Sequence, residues 1–108
     1  MRLNESCNTF ADRTAKLAGL CGAQVIPGIM PRADTPDIFS TLAPRPLQIQ
    51  LGSKDPVIEH EAAERGIAQI ERCYKEAGAV EKVSIERFEG GHELRLEPAK
   101  DWFDRWLK

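Results

Sequence analysis

A basic surplus, a long apolar run and a regular cysteine pattern are all missing from this sequence. Its 108 residues carry 15 lysines and arginines against 17 aspartates and glutamates, so the formal net charge is −2. That balance argues against the strongly basic surface typical of nucleic-acid binding. No apolar run approaches the about 20 residues of a membrane helix, and the N-terminus lacks the pattern of a signal peptide. We therefore expect neither a nucleic-acid partner nor membrane association.

Cysteine and histidine are too sparse to indicate a disulfide framework or a metal site. Cys7, Cys21 and Cys73 are odd in number and form no C-x-x-C pair. This usage predicts free thiols in a reducing, cytoplasmic compartment. Neither His60 nor His92 has a second ligand at the spacing that zinc sites use. We expect no metal and no cofactor.

The central element of the chain is predicted at residues 47–51. Leucine or isoleucine alternates there with glutamine, which is the period-two pattern of a strand. Pro44 and Pro46 prevent a helix from running into it. Pro56 favours extended backbone at Asp55, so the strand delivers this carboxylate to the loop beyond its C-terminal end. Ligands gather at that position in open α/β sheets, although a solvated turn aspartate is the commoner interpretation of the local pattern alone.

Helical patterns surround this strand. We predict a short helix over residues 12–20, another with Thr35 as N-cap, and a long one over 59–77 that ends at a glycine. The apolar face of the long helix steps by three and four residues: Ala63, Ile67, Ile70, Tyr74 and Ala77. A second alternating strand covers 83–88, and Pro98 opens a last helix. The last helix carries a wide aromatic stripe that must be covered: Trp102, Phe103, Trp106 and Leu107.

Strand, long helix and strand together predict a βαβ unit whose strands are parallel neighbours. Two strands are few for a parallel sheet, and no other segment shows a strand pattern. Gln48 and Gln50 also depart from the apolar composition of a buried parallel strand, which predicts a partly wet face or relaxed packing. We therefore expect residues 1–108 to form one partial α/β domain, in which 1–21 is only weakly assigned. Its central strand should expose an unpaired edge through which the chain self-associates.

Parallel pairing would place the loops after the two strands side by side, with Asp55 and His92 within hydrogen-bonding reach. A carboxylate beside an imidazole is what nucleophilic acyl transfer requires, because it fixes the tautomer and stabilises the imidazolium. Gly90 and Gly91 would let the ring come close to its partners. The alternative is a flexible Gly-Gly turn with a solvated histidine.

Residues 22–108 resemble the C-terminal segment of a serine hydrolase of the α/β-hydrolase fold. The similarity is to the branch that contains dienelactone hydrolases, acetyl xylan esterases and prolyl oligopeptidase-like enzymes. It is carried by these segments, together with the Trp-rich last helix: Val25-Ile26-Pro27-Gly28-Ile29, Ala33-Asp34, Pro36-Asp37, Ala43-Pro44-Arg45-Pro46-Leu47, Gly52-Ser53-Lys54-Asp55-Pro56 and Phe88-Glu89-Gly90-Gly91-His92.

The resemblance implies that Asp55 is the acid and His92 the base of a Ser-Asp-His triad acting on a small-molecule carboxylic ester. It implies no cofactor. The sequence departs from the family in having no G-x-S-x-G nucleophile elbow. The expected function is therefore that of the C-terminal part of a serine esterase whose nucleophile lies on another polypeptide segment, and 108 residues alone should be inactive. The alternative is a small non-catalytic module that self-associates or complements a separate hydrolase half.

Overall fold

A computed structural model describes residues 2–4, 28–29 and 32–107 of the chain. These residues form three strands, three helices and one 3₁₀ turn. The predicted helix over 12–20 lies outside these residues. In chain order the elements are β1 (Arg2–Asn4), α1 (Thr35–Ser40), β2 (Leu47–Gly52), α2 (His60–Glu76), the 3₁₀ turn (Val80–Lys82), β3 (Val83–Phe88) and α3 (Leu96–Trp106).

The three strands form one parallel sheet in the order β1-β2-β3. Strand β2 pairs with β3 along its whole length, from Leu47 opposite Val83 to Gly52 opposite Phe88. The prediction of a small α/β unit with parallel neighbouring strands is therefore confirmed. Because β2, α2 and β3 follow one another in the chain, the two strands end at the same edge of the sheet.

Strand β1 was not predicted, and it changes the expected edge of the sheet. Its three residues pair in parallel with residues 48–50 of β2. The prediction that β2 exposes an unpaired edge is therefore wrong along these residues. Of the described strands, β1 and β3 each have a partner on one side only. A strand of three residues is too short to show a period-two pattern, which is why it escaped prediction.

Helices α1 and α2 cover one face of the sheet and enclose the main core. The buried cluster joins alternate residues of β2 to the apolar face of α2 and to the segments just before and after that helix: Leu47, Ile49, Leu51, Ile58, Ala63, Ile67, Ile70, Tyr74 and Ala79. The predicted helical face is confirmed except at Ala77, which is exposed. Ala79 is buried instead of Ala77, because the helix ends at Glu76 and the chain then turns back toward the sheet.

The start of α1 lies one residue earlier than predicted. Asp34, not Thr35, is the N-cap, and its side chain accepts a hydrogen bond from the backbone of Thr35 at 2.6 Å. Asp37 completes the capping box by accepting from the Asp34 N–H at 2.7 Å. Both Asp and Thr are good N-cap residues, so the sequence alone did not distinguish these neighbours.

Helix α3 packs on the opposite face of the sheet, where β2 presents its two glutamines. Gln48 is 4% exposed and Gln50 is 1% exposed, so the prediction of a wet face is wrong for these two side chains, although an open cleft lined by Gln48, Ser84 and Glu86 lies on the same face. Both amides reach the chain at the start of α3, at Arg95 and Pro98. Only part of the predicted aromatic stripe is covered: Trp102 is buried, whereas Phe103 is exposed.

Candidate active site

Asp55 lies just past the end of β2 and is almost completely buried, at 4% exposed. Its carboxylate is held at two points. Oδ1 accepts a hydrogen bond from the backbone N–H of Val57 at 2.8 Å, and Oδ2 lies 2.8 Å from Nδ1 of His92. The interpretation of Asp55 as a solvated turn residue is therefore wrong. The structure brings together the two residues that strand order predicted to be neighbours.

His92 follows β3 and is the more accessible member of the pair. Its side chain is 36% exposed, whereas that of Asp55 is 3% exposed. With Nδ1 directed at the carboxylate, proton transfer to an external group would take place at Nε2. A hydrogen bond from Nδ1–H to a carboxylate sets which tautomer the neutral ring adopts. The arrangement therefore presents a partly exposed proton acceptor that is oriented from behind by a buried anion.

Backbone hydrogen bonds extend the β2–β3 pairing into the two loops. The Ser53 N–H donates to the carbonyl of Phe88 at 2.9 Å, and the Lys54 N–H donates to that of Gly90 at 2.8 Å. These bonds hold the loop that carries Asp55 against the loop that carries His92. The proximity of the two side chains thus follows from strand pairing and does not depend on their mutual attraction alone.

Gly52, rather than Gly91, is the glycine that permits the two loops to approach. A Cβ at Gly52 would overlap the carbonyl oxygens of Gly90 and Gly91, and a Cβ at Gly90 would meet the ring of Phe88. At Gly91 no atom lies within 4 Å of such a Cβ. The Gly-Gly pair was predictable from the sequence, but the role of Gly52 was not, because its constraint comes from a loop almost 40 residues further along the chain.

The described serines occupy structural positions. The Ser40 hydroxyl donates to the carbonyl of Pro36 at 2.7 Å, within α1. Ser53 is exposed in the turn between β2 and Asp55, and Ser84 lines a cleft of about 390 Å³ between β3 and α3. None of the three stands in the strand–turn–helix elbow of a hydrolase nucleophile.

Neither a metal cluster nor a membrane span is seen in residues 2–4, 28–29 and 32–107. No group of three or more His, Cys, Asp or Glu side chains there is placed to hold a metal ion. No helix in the same residues has the length and apolar character needed to cross a bilayer. Comparisons of the chain with protein-family models, curated proteins and solved structures found no match. The chemistry of the site must therefore be argued from its own residues.

Proposed function

We propose that this chain is the C-terminal part of a cytoplasmic serine hydrolase of the α/β-hydrolase fold that acts on carboxylic esters. Asp55 is the triad acid and His92 the triad base. The observation that carries this proposal is the 2.8 Å contact between Asp55 Oδ2 and His92 Nδ1, formed at the C-terminal ends of two adjacent parallel strands. Substrates bind at this edge in open α/β sheets.

The pair can perform the proton transfers of ester hydrolysis. A serine hydroxyl attacks the ester carbonyl carbon while its proton passes to Nε2 of His92. The buried carboxylate of Asp55 stabilises the imidazolium that results. Collapse of the tetrahedral intermediate breaks the ester C–O bond, and the leaving alkoxide takes the proton from Nε2. Water then repeats the two steps on the acyl-serine, which releases the acid.

The nucleophile of this mechanism comes from a polypeptide segment other than residues 1–108. The sequence has no G-x-S-x-G, and an oxyanion hole is expected next to that elbow. Asp55 and His92 then supply the acid–base half of the machinery. In this proposal β2 and β3 are the last strands of a larger parallel sheet, and α2 and α3 are the helices that follow them.

A second candidate function is that of a non-catalytic module that joins another polypeptide through strand pairing. The observation that favours it is the sheet order, because β3 pairs only with β2 among the described strands. Backbone groups on the outer edge of such a strand can pair with a second chain, either another copy or a separate hydrolase half.

An esterase assay on a longer gene product separates the two candidates. The coding sequence upstream of Met1 is read for G-x-S-x-G, and the polypeptide that includes it is assayed with p-nitrophenyl acetate. We expect turnover that falls by about 10⁴ in Asp55→Asn, as for the acid of other triads, and that disappears in His92→Ala. His60→Ala is the matched control and should retain activity, since His60 begins α2.

The 108-residue chain alone should hydrolyse the same ester no faster than free imidazole. Turnover by this chain that is lost in His92→Ala and in one serine or cysteine variant would contradict the proposal. It would show that the nucleophile lies within these residues. An upstream region without an elbow, combined with a longer product that has no esterase activity, would favour the non-catalytic module.

A further inference from the structure

We infer that Gln50 is a positioning residue for His92. Its buried side chain holds the backbone at Arg95 and thereby keeps the loop that carries His92 against Asp55. The catalytic meaning of this inference rests on the function proposed above, but the geometric claim can be tested without any catalysis.

Gln50 makes two hydrogen bonds to the same residue. Its Nε2 donates to the carbonyl of Arg95 at 2.9 Å, and its Oε1 accepts from the Arg95 N–H at 3.0 Å. The side-chain amide thus bonds the N–H and the C=O of Arg95 as a partner residue on an antiparallel strand would. Arg95 lies only three residues after His92 and immediately before α3, for which it is the N-cap residue. Because the two bonds fix the peptide groups on both sides of the Arg95 Cα, the loop has little freedom at this end.

The other end of the same loop is fixed by the turn after β2. The Lys54 N–H donates to the carbonyl of Gly90 at 2.8 Å. His92 is therefore bracketed between an anchor at residue 90 and an anchor at residue 95. Both anchors belong to β2 or to the turn that carries Asp55. Acid and base are consequently positioned by one rigid element, which is how a short hydrogen-bonded pair is kept in register.

A buried glutamine at position 50 would destabilise the fold if its amide made no hydrogen bonds. It is 1% exposed in the middle strand of the sheet, where apolar side chains are the rule. A buried amide is unfavourable unless its donors and acceptor are satisfied, and here Arg95 satisfies both ends. A role in holding the backbone at Arg95 therefore best explains why a glutamine is buried here.

Gln48 offers a matched control on the same strand and the same face. It is also buried, and its Nε2 donates to the carbonyl of Pro98 at 3.1 Å. That bond reaches into the first turn of α3, six residues beyond His92. Gln48 Oε1 accepts a further bond from Gln50 at 3.3 Å, but it makes no bond to Arg95 in the structure. A Gln48 variant should therefore loosen α3 more than it disturbs His92.

The test measures the tautomer of His92 by long-range ¹H–¹⁵N spectra of the 108-residue chain, at a pH where imidazole is neutral. Wild type should hold the proton on Nδ1, because that nitrogen donates to Asp55. Gln50→Met keeps the length and volume of the side chain but removes both bonds to Arg95. We expect the ratio of the Nδ1–H to the Nε2–H tautomer to fall by about tenfold in Gln50→Met and by less than twofold in Gln48→Met.

Thermal melting of both variants separates positioning from general destabilisation. Equal melting losses with a tautomer change in Gln50→Met alone support the inference. An unchanged tautomer in folded Gln50→Met, or an equal change in Gln48→Met, overturns it. If Gln50→Met does not fold, amide hydrogen exchange of wild type decides. Protection of the Arg95 N–H comparable to that of β2 supports the anchor, and exchange at the rate of an open loop refutes it.

The inference and the proposed function can fail separately. In the longer polypeptide, Gln50→Met should lower kcat with little change in KM, because it displaces the base and leaves substrate contacts in place. If that polypeptide has no esterase activity but the tautomer responds as expected, only the proposed function fails. If it is active and Gln50→Met leaves both kcat and the tautomer unchanged, only the positioning role of Gln50 fails.

Discussion

Gly52→Ala tests how closely the two site loops must approach. A Cβ built at Gly52 stands 2.7 Å from the carbonyl oxygen of Gly90 and closer still to that of Gly91. Both obstacles are backbone atoms, so no side-chain rotation can relieve the overlap. The loop that carries His92 must move away from the end of β2, and the hydrogen bond from the Lys54 N–H to Gly90 should lengthen or break.

The expected loss of stability follows from these two effects. Forcing an extra methyl group into a packed site costs about 1–3 kcal/mol, and a lost backbone hydrogen bond adds about 1 kcal/mol. We therefore expect Gly52→Ala to lower the free energy of unfolding by about 2–4 kcal/mol. Urea unfolding of a small protein has a slope of about 1–3 kcal/mol/M, so the midpoint should fall by about 1 M or more.

Gly91→Ala is the control for this experiment. No atom lies within 4 Å of a Cβ at that position, and the substitution also reduces the freedom of the unfolded chain. Its stability should be unchanged or higher by up to about 1 kcal/mol. Equal urea midpoints for the two variants, with the His92 resonances of Gly52→Ala at their wild-type positions, would refute the close approach of the loops.

Two further predictions concern contacts outside the site. Tyr74→Phe removes a hydroxyl that donates to the carbonyl of Arg45, and should cost about 1–2 kcal/mol in urea unfolding. Burial raises the pKa of Tyr74. The stability that its neutral hydroxyl contributes is therefore complete below the unfolded-state pKa of about 10 and is lost as pH rises through the higher pKa of the folded state. Phenolate absorbance of this single tyrosine would show the raised pKa, and a titration at the ordinary value would contradict the burial of the hydroxyl. Glu64→Gln removes the bidentate contact with Arg87, whose hydrogen bonds lower the pKa of Glu64. Both groups are about half exposed, so the loss at pH 7 should be under about 1 kcal/mol. The loss should shrink as pH falls below the ordinary value of 4.5 and vanish once pH is below the lowered pKa of folded Glu64. A loss that persists in stronger acid would contradict the ion pair.

The part of the fold that could be predicted is the part whose signals are local. Helix α2 is long enough for its three- and four-residue steps to be unmistakable. Apolar and polar residues alternate over 47–51 in β2 and over 83–86 in β3. Their order along the chain then requires a parallel pair whose loops share one edge. The proximity of Asp55 and His92 was predictable because that order alone brings their two loops to the same edge of the sheet.

The part that could not be predicted depends on distant partners. The burial of Gln48 and Gln50 was not predicted, because their hydrogen-bond partners lie 45 to 50 residues away and leave no local signal. The constraint at Gly52 likewise arises only when the loop after β3 closes over it. Strand β1 is defined entirely by its pairing with β2, since three residues carry no pattern of their own.

Asp55 orients His92 through Nδ1, and the substitution Asp55→Asn probes this contact. Oδ1 of Asp55 accepts from the Val57 N–H, and Oδ2 faces His92. In the variant, the amide oxygen should stay on the Val57 N–H, because that position needs an acceptor. The amide NH₂ then faces Nδ1, so the ring must accept a hydrogen bond there and carry its proton on Nε2.

Long-range ¹H–¹⁵N spectra of neutral His92 distinguish these two states, with His60 as an internal reference. We expect the Nδ1–H tautomer in wild type and the Nε2–H tautomer in Asp55→Asn, while His60 stays the same in both. A His92 tautomer that is the same in the two proteins would contradict this expectation, because the two side chains would then not meet.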